Sequence, residues 1–154
     1  MESIHHIVKH FSQLNASELY SILHLRNEVF VVEQNCAYQD ADNKDRFCHH
    51  LMLYAGQELA AYARLVPAGI SYEETSIGRV VTAHGFRGTG LGKTLMQLAI
   101  QYCRELFGAT PIRIGAQLYA KPFYTALGFD ETGTVYDEDG IPHIQMIRWF
   151  GAEK

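Results

Sequence analysis

Arg87-Gly88-Thr89-Gly90-Leu91-Gly92-Lys93 follows a β-type run, Ile77-Gly78-Arg79-Val80-Val81, and leads into an apolar pattern with helical spacing. A glycine-rich turn at a helix start presents several backbone N–H groups in succession, with no Cβ to hold a ligand away. The positive end of the helix dipole adds to them, so the turn suits an anion, most often a phosphate. Spacing separates the phosphate carriers. A Walker loop places four residues between its first glycine and Gly-Lys-Ser/Thr. Gly92-Lys93-Thr94 has the right end, but Arg87 stands where that first glycine belongs. A dinucleotide fingerprint reads G-x-G-x-x-G, whereas Gly88, Gly90 and Gly92 give G-x-G-x-G.

The pattern that fits without adjustment is Arg87-x-x-Gly90-x-Gly92. After a second apolar strand, Ile112-Arg113-Ile114-Gly115-Ala116, comes Gln117-Leu118-Tyr119-Ala120-Lys121-Pro122-Phe123-Tyr124-Thr125-Ala126-Leu127-Gly128-Phe129. Pro122 suits the first turn of a helix and Gly128 its C-terminal cap. In this order, about 30 residues apart, the two segments resemble the two signatures of the GCN5-related N-acetyltransferase (GNAT) superfamily. That resemblance implies acetyl-CoA as cofactor. Arg87 and the turn Gly88, Thr89, Gly90, Leu91, Gly92 and Lys93 would hold its pyrophosphate. Val80, Val81 and Thr82 on the preceding strand would also contact the cofactor, and Tyr124 would lie near its thiol. Gln117 stands seven residues before Tyr124, where the superfamily often has asparagine, and offers the same amide from a longer stem.

The N-terminal half narrows the resemblance. Leu25-Arg26-Asn27-Glu28-Val29-Phe30-Val31-Val32-Glu33-Gln34, then Tyr38, Asp42, Asp45 and His50, resemble the ElaA-like branch. So do Ala63-Arg64-Leu65-Val66-Pro67 and Asp139-Gly140-x-x-His143-x-x-Met146. Arg-x-x-Val-Phe, the paired aspartates and Arg-Leu-x-Pro are also similar to acyl-homoserine lactone synthases, whose chains are appreciably longer.

Composition bounds the alternatives. The length of 154 residues fits a single domain over 1–154, enough to bury roughly 70% of its unfolded surface. With 47% apolar residues but no long apolar run, the chain reads as a soluble globular protein without a membrane span. Met1-Glu2-Ser3-Ile4-His5-His6 lacks the basic segment and apolar stretch of a signal peptide, so a cytoplasmic location is expected. A net charge of −4 without a Lys/Arg cluster gives no nucleic-acid face. Cys36, Cys48 and Cys103 have neither zinc nor disulfide spacing and read as reduced, buried thiols. His5, His6 and His10 lack acidic or Cys partners at ligand spacing and read as surface residues rather than a metal site.

Element by element, residues 4–11 read as a strand, and Asn15 with Glu18 as a capping-box helix start carrying Leu19, Ile22, Leu23 and Phe30. A charged irregular stretch, 33–45, follows. Residues 51–54 and 58–66 form a hairpin around Gly56-Gln57, and 77–82 a further strand. Leu91, Leu95, Leu98, Ala99, Tyr102 and Leu106 mark one helix face. Strands at 134–137 and 143–149 flank the turn Glu138-Asp139-Gly140-Ile141-Pro142. The order β-α-β-β-β-α-β-α-β-β matches the fold the resemblance implies: mixed α/β, with a central sheet splayed where the cofactor enters and helices flanking it.

Acetyl transfer needs a free amine, a polarised thioester carbonyl and a protonated leaving thiol. A backbone N–H near Val80 or Val81 serves the carbonyl, and the Tyr124 hydroxyl serves the thiol. For the base, the strand before the turn carries no carboxylate past Glu74; Glu33, His84 and His143 are the candidates, with water as the alternative. Glu33, Asp40, Asp42 and Asp45 either attract a cationic amine or form a solvated loop. Arg26, Arg64 and Arg79 either pair those acids or bind a carboxylate. The expected acceptor is a small-molecule or peptide amine. A non-catalytic acyl-CoA sensor is the reading from another class, and the resemblance leaves a homodimer open.

Overall fold

Among the described residues, alternating and β-branched runs form one eight-stranded sheet, and helices cover both of its faces. The computed structural model describes residues 3–151, so the extreme ends of the expected 1–154 domain lie outside the described residues. The strands are β1 (Ile4–His10), β2 (His49–Ala55), β3 (Glu58–Val66), β4 (Thr75–Thr82), β5 (Ile112–Gln117), β6 (Asp130–Glu131), β7 (Tyr136–Glu138) and β8 (Ile141–Arg148). The helices are α1 (Ala16–Arg26), α2 (Leu91–Phe107) and α3 (Lys121–Ala126). The sheet runs β1-β2-β3-β4-β5-β8-β6, with β7 also on β8. Every pairing is antiparallel except β4 with β5. This is the expected mixed α/β architecture, with the two-residue β6 as an added strand.

Local chemistry accounts for the boundaries. Asn15 Oδ1 accepts from Glu18 N at 2.7 Å while Glu18 Oε1 accepts from Asn15 N at 3.0 Å, the reciprocal capping box its sequence foretells. Gly56 at φ +60 turns the β2–β3 hairpin. The α1 helix does not stop at Arg26 but widens into π-helical turns, Asn27–Glu33, with Gln34 N donating to Val29 O and Cys36 N to Val31 O, both at 3.0 Å. Such widening recurs at functional sites, and here it carries Glu33 to Arg87, just beyond the end of β4.

Two apolar clusters sandwich the sheet. Ile22, Leu25 and Val29 of the first helical segment meet Met52, Tyr62 and Val81 on one face. On the other, Leu91, Leu95, Met96, Ala99, Ile100 and Cys103 of α2 meet Leu51, Leu53, Leu65, Ile114 and Met146. Cover on both faces explains why β3 is buried from Leu59 onward. The α2 stripe is rotated slightly from its expected position: Leu98 and Tyr102 flank the core, and Leu106 is exposed. All three cysteines are buried and free.

Candidate active site

The parallel pairing of β4 with β5 involves only Thr75 with Ile112 and Ser76 with Arg113. Beyond Ser76 the strands separate, and the gap becomes a cleft of about 380 Å³. A second irregularity lies on the other edge of β4. Its register against β3 shifts between Tyr62 and Arg64, so that Arg79 and Val80 together stand opposite Ala63. This is a β-bulge, and Arg79 takes the left-handed conformation at φ +52. A non-glycine residue there costs roughly 1–2 kcal/mol. Ala83 N donates to Ala60 O at 2.8 Å. Alternation along the strand then directs the N–H of Val81 toward β3, and those of Val80 and Thr82 toward the cleft. Val80 rather than Val81 is therefore the amide presented to a ligand.

Arg87 and Thr82 line one end of the cleft, and the glycine turn adjoins it there, with Gly92 beside Thr82. Gly88 and Gly90 hold φ +77 and +82, conformations that side chains other than glycine rarely tolerate. Thr89 Oγ1 ties the turn to Phe86 O at 2.6 Å. No side chain caps α2, and the first bond closing it from Gly90 runs from Thr94 N at 3.2 Å. The N–H groups of Leu91, Gly92 and Lys93 thus have no intrahelical acceptor. Gly92 keeps the approach low: a Cβ there would lie 3.6 Å from Thr82 Oγ1 and 3.9 Å from Phe123 Cζ. These donors, with Arg87 and Lys93 beside them, suit a pyrophosphate.

Arg87 lines the cleft, and its Nη2 pairs with Glu33 Oε2 at 2.8 Å. His84, largely exposed, has Nδ1 3.9 Å from Glu33 Oε1. Glu33 therefore sits against the glycine-turn arginine. Its position follows from the π-helical turns, which the apolar spacing of residues 19–30 does not reveal.

At the middle and far end, Gln117 Nε2 donates to Gln34 Oε1 at 3.3 Å across the gap. Tyr124 lines the cleft; burial, with neighbouring Tyr119, pushes its hydroxyl up to about 12. It stays protonated at neutral pH and is a hydrogen-bond donor. His143, opposite Gln117 in the β5–β8 register, is buried, and its Nδ1 donates to Ile141 O at 2.7 Å. That bond leaves the lone pair on Nε2, which lies 3.4 Å from Glu138 Oε2. Tyr136 packs against the His143 ring, and its hydroxyl bonds to that of Tyr72. A Cβ on Gly115 would come within 2.7 Å of the Tyr136 hydroxyl and 2.9 Å of the Tyr72 hydroxyl. Sequence reasoning missed Glu138, read only as part of a turn, and these two tyrosines. The signal available was Gly115 itself, since a lone glycine within a strand marks a close approach.

The aspartates of the charged stretch belong to neither end. Arg26 donates to Asp40 Oδ2 at 2.8 Å and Asp45 Oδ1 at 2.7 Å. Arg64 grips Asp42 through both terminal nitrogens, at 2.8 and 2.9 Å, and also reaches Asp45. Arg79 Nε donates to Asp40 Oδ1 at 2.8 Å. Burial opposes the charge on Asp42, yet Arg64 holds its carboxyl well below the usual range; Arg26 and Arg64 do the same for Asp45. Of the two expectations for Arg26, Arg64 and Arg79, pairing with these acids is what the structure adopts, so Asp40, Asp42 and Asp45 do not form a solvated loop. Among the described residues, no group of three or more His, Cys, Asp or Glu has a metal-binding arrangement, and no helix is long and apolar enough to cross a membrane.

Comparison with known proteins agrees with this geometry. Residues 10–149 match the acetyltransferase (GNAT) domain family. The ElaA protein of Escherichia coli is 42% identical over 141 residues, covering 90% of this chain and 92% of its own. Its crystal structure superposes with a TM-score of 0.90 at 40% identity, over 95% of this chain and 99% of that one. An acyl-CoA N-acyltransferase from Pseudomonas aeruginosa gives a TM-score of 0.91 at 42% identity, over the same shares. A coenzyme A-dependent acyl-homoserine lactone synthase shares the fold alone, with a TM-score of 0.74 at 18% identity over 94% of this chain and 81% of that one. With signatures, splayed sheet and relatives in agreement, the chain belongs to the GNAT acetyltransferase family, in its ElaA-like branch.

Proposed function

We propose that this protein is an acetyl-CoA-dependent N-acetyltransferase that passes the acetyl group directly to a small-molecule or peptide amine. The observation that carries the reading is one cleft that runs from Arg87, the first residue of the glycine segment, past the Val80 bulge and Tyr124, to His143. Bound acetyl-CoA supplies a thioester as acyl donor and a thiol as leaving group. Arg87 and the amides from Gly88 to Lys93 hold the pyrophosphate; charge-assisted bonds of this kind are worth roughly 1.5–3 kcal/mol each. Gln117 and the cleft-facing edge of Val80 and Thr82 align the pantetheine arm. Val80 N–H polarises the thioester carbonyl, a preorganised donor in a half-enclosed site. Tyr124 donates its hydroxyl proton to the departing sulfur.

On the acceptor side, His143 Nε2 takes the amine proton. Glu138, beside that nitrogen, stabilises the imidazolium that forms. Glu33 is set aside as base because Arg87 already engages its carboxylate. Its role in this reading is to orient Arg87 at the cofactor end.

The test is a screen of acetyl-CoA against a library of primary amines, read as free thiol release. At least one amine is expected to raise release well above the acetyl-CoA blank. Saturable acetyl-CoA binding with no amine-dependent release would instead make the protein a non-catalytic acyl-CoA sensor.

A further inference from the structure

The bulge in β4 is an unfavourable piece of backbone whose geometry is imposed from outside the strand. Arg79 at φ +52 occupies a region that L residues with long side chains avoid. Nothing in the local sequence Ile77-Gly78-Arg79-Val80-Val81 calls for it there; Gly78, which could adopt it freely, is paired in register with Arg64 instead. Arg79 is fixed by Asp42, whose Oδ2 accepts from Nη2 at 3.3 Å, and above all by Asp40. Its carboxylate Oδ1 accepts from Arg79 Nε at 2.8 Å and its carbonyl from Nη2 at 3.1 Å. The Arg79 guanidinium also lies over the Tyr38 ring, 5.6 Å from its centroid.

Asp40 is itself held from the opposite side. Its Oδ2 accepts from Arg26, which is fully buried at the end of α1, at 2.8 Å, and Tyr38 donates to its Oδ1 at 2.7 Å. A rigid carboxylate anchored on the helical layer thus clamps the one residue whose backbone makes β4 irregular. That residue immediately precedes Val80, whose N–H faces the cleft.

We propose that Asp40, acting through Arg79, is a positioning residue for catalysis: it holds the bulge so that Val80 N–H stays aimed at the acyl carbonyl. This rests on the reading of Val80 given under the proposed function. Asp40 touches neither cofactor nor amine; it keeps an amide pointed where the strand would otherwise turn it back into the ladder.

The experiment separates backbone shape from side-chain charge. Arg79→Gly and Arg79→Val both delete the ion pair, but glycine adopts φ +52 freely and valine resists it. Arg79→Gly, which reaches φ +52 without strain, should lose clearly less kcat than Arg79→Val. Arg79→Val should lose about tenfold or more with little change in KM for acetyl-CoA, as expected when only transition-state contacts suffer. Asp40→Asn should behave like Arg79→Val. Should Asp40→Asn fail to fold because Arg26 loses a buried partner, the two position-79 variants, which leave Asp40 bound to Arg26 and Tyr38, decide the matter.

A second readout needs no turnover. The Val80 amide resonance should differ between the acetyl-CoA and free coenzyme A complexes in the parent and in Arg79→Gly, and that difference should vanish in Arg79→Val. If no amine supports thiol release, the proposed enzymatic function fails while this resonance still tests the clamp. Equal losses in the glycine and valine variants, or a parent-like kcat and Val80 resonance in a folded Asp40→Asn, would overturn the proposal.

Discussion

At the scale of single residues, Tyr124 shows how burial selects a chemical role. Burial and Tyr119 push its hydroxyl up to about 12, so it is not a base at neutral pH and offers only a donated hydrogen. Tyr124→Phe deletes that hydrogen while retaining the ring that packs edge-on against Phe129 at 5.9 Å. The expected result is a fall in kcat of about 10²-fold or more with acetyl-CoA affinity nearly unchanged, measured where chemistry limits turnover. A parent-like kcat would mean that solvent protonates the sulfur. Tyr124 and the turn glycines were legible in the sequence because their spacing is local. Glu138 was not, because its significance arises from His143 across a hairpin; for Asp40 the sequence offered pairing with the arginines as one alternative, but not which of them, since Arg79 lies 39 positions away.

At the scale of elements, the glycine turn and the start of α2 act as one unit, and the two kinds of glycine in it do different work. Gly90 is required by its positive φ whether or not a ligand is bound. Gly92 lies within the helix, and a Cβ there meets only ordinary contacts with Thr82 and Phe123. Gly92→Val is therefore the cleaner probe: its branched carbons take space beside the open amides without straining the turn. Affinity for acetyl-CoA should fall at least tenfold, about 1.4 kcal/mol, while the ligand-free melting temperature changes little. Unchanged affinity by calorimetry would place the pyrophosphate elsewhere. Secondary structure was readable wherever it depends on such local signals, as in the Asn15–Glu18 capping box and the Gly56 hairpin. The π-helical turns at Asn27–Glu33 and the β4 bulge were not, because periodicity carries no trace of a single extra residue that tertiary contacts force into a helix or strand.

At the scale of the whole molecule, the buried charges predict how stability depends on pH. His50, inaccessible to solvent, donates from Nε2 to Asp45 O at 3.0 Å and accepts the Tyr62 hydroxyl at Nδ1, at 2.6 Å. In the neutral form both ring nitrogens are satisfied. Burial lowers its pKa from 6.5 to about 4; Asp45 opposes the shift, and the Arg26 and Arg64 charges add to it. The unfolded chain therefore binds a proton that the native state refuses. The resulting stability is fully present above about pH 6.5 and is lost as pH falls toward about 4, with a limiting slope of roughly 1.4 kcal/mol per pH unit. Asp42 and Asp45, held low by their arginines, contribute with the same sign but only below the ordinary carboxylate range, near pH 4. The two effects thus fall in separate windows. His49 is also lowered, by burial and then by His10, so the parent slope between pH 6.5 and 4.5 contains both histidines. The difference between parent and His50→Gln isolates the buried one. Urea unfolding should give a stability that drops across this interval in the parent and a clearly shallower drop in His50→Gln. Equal slopes would show that the cluster joining α1, β3 and β4 admits a proton at His50 without loosening.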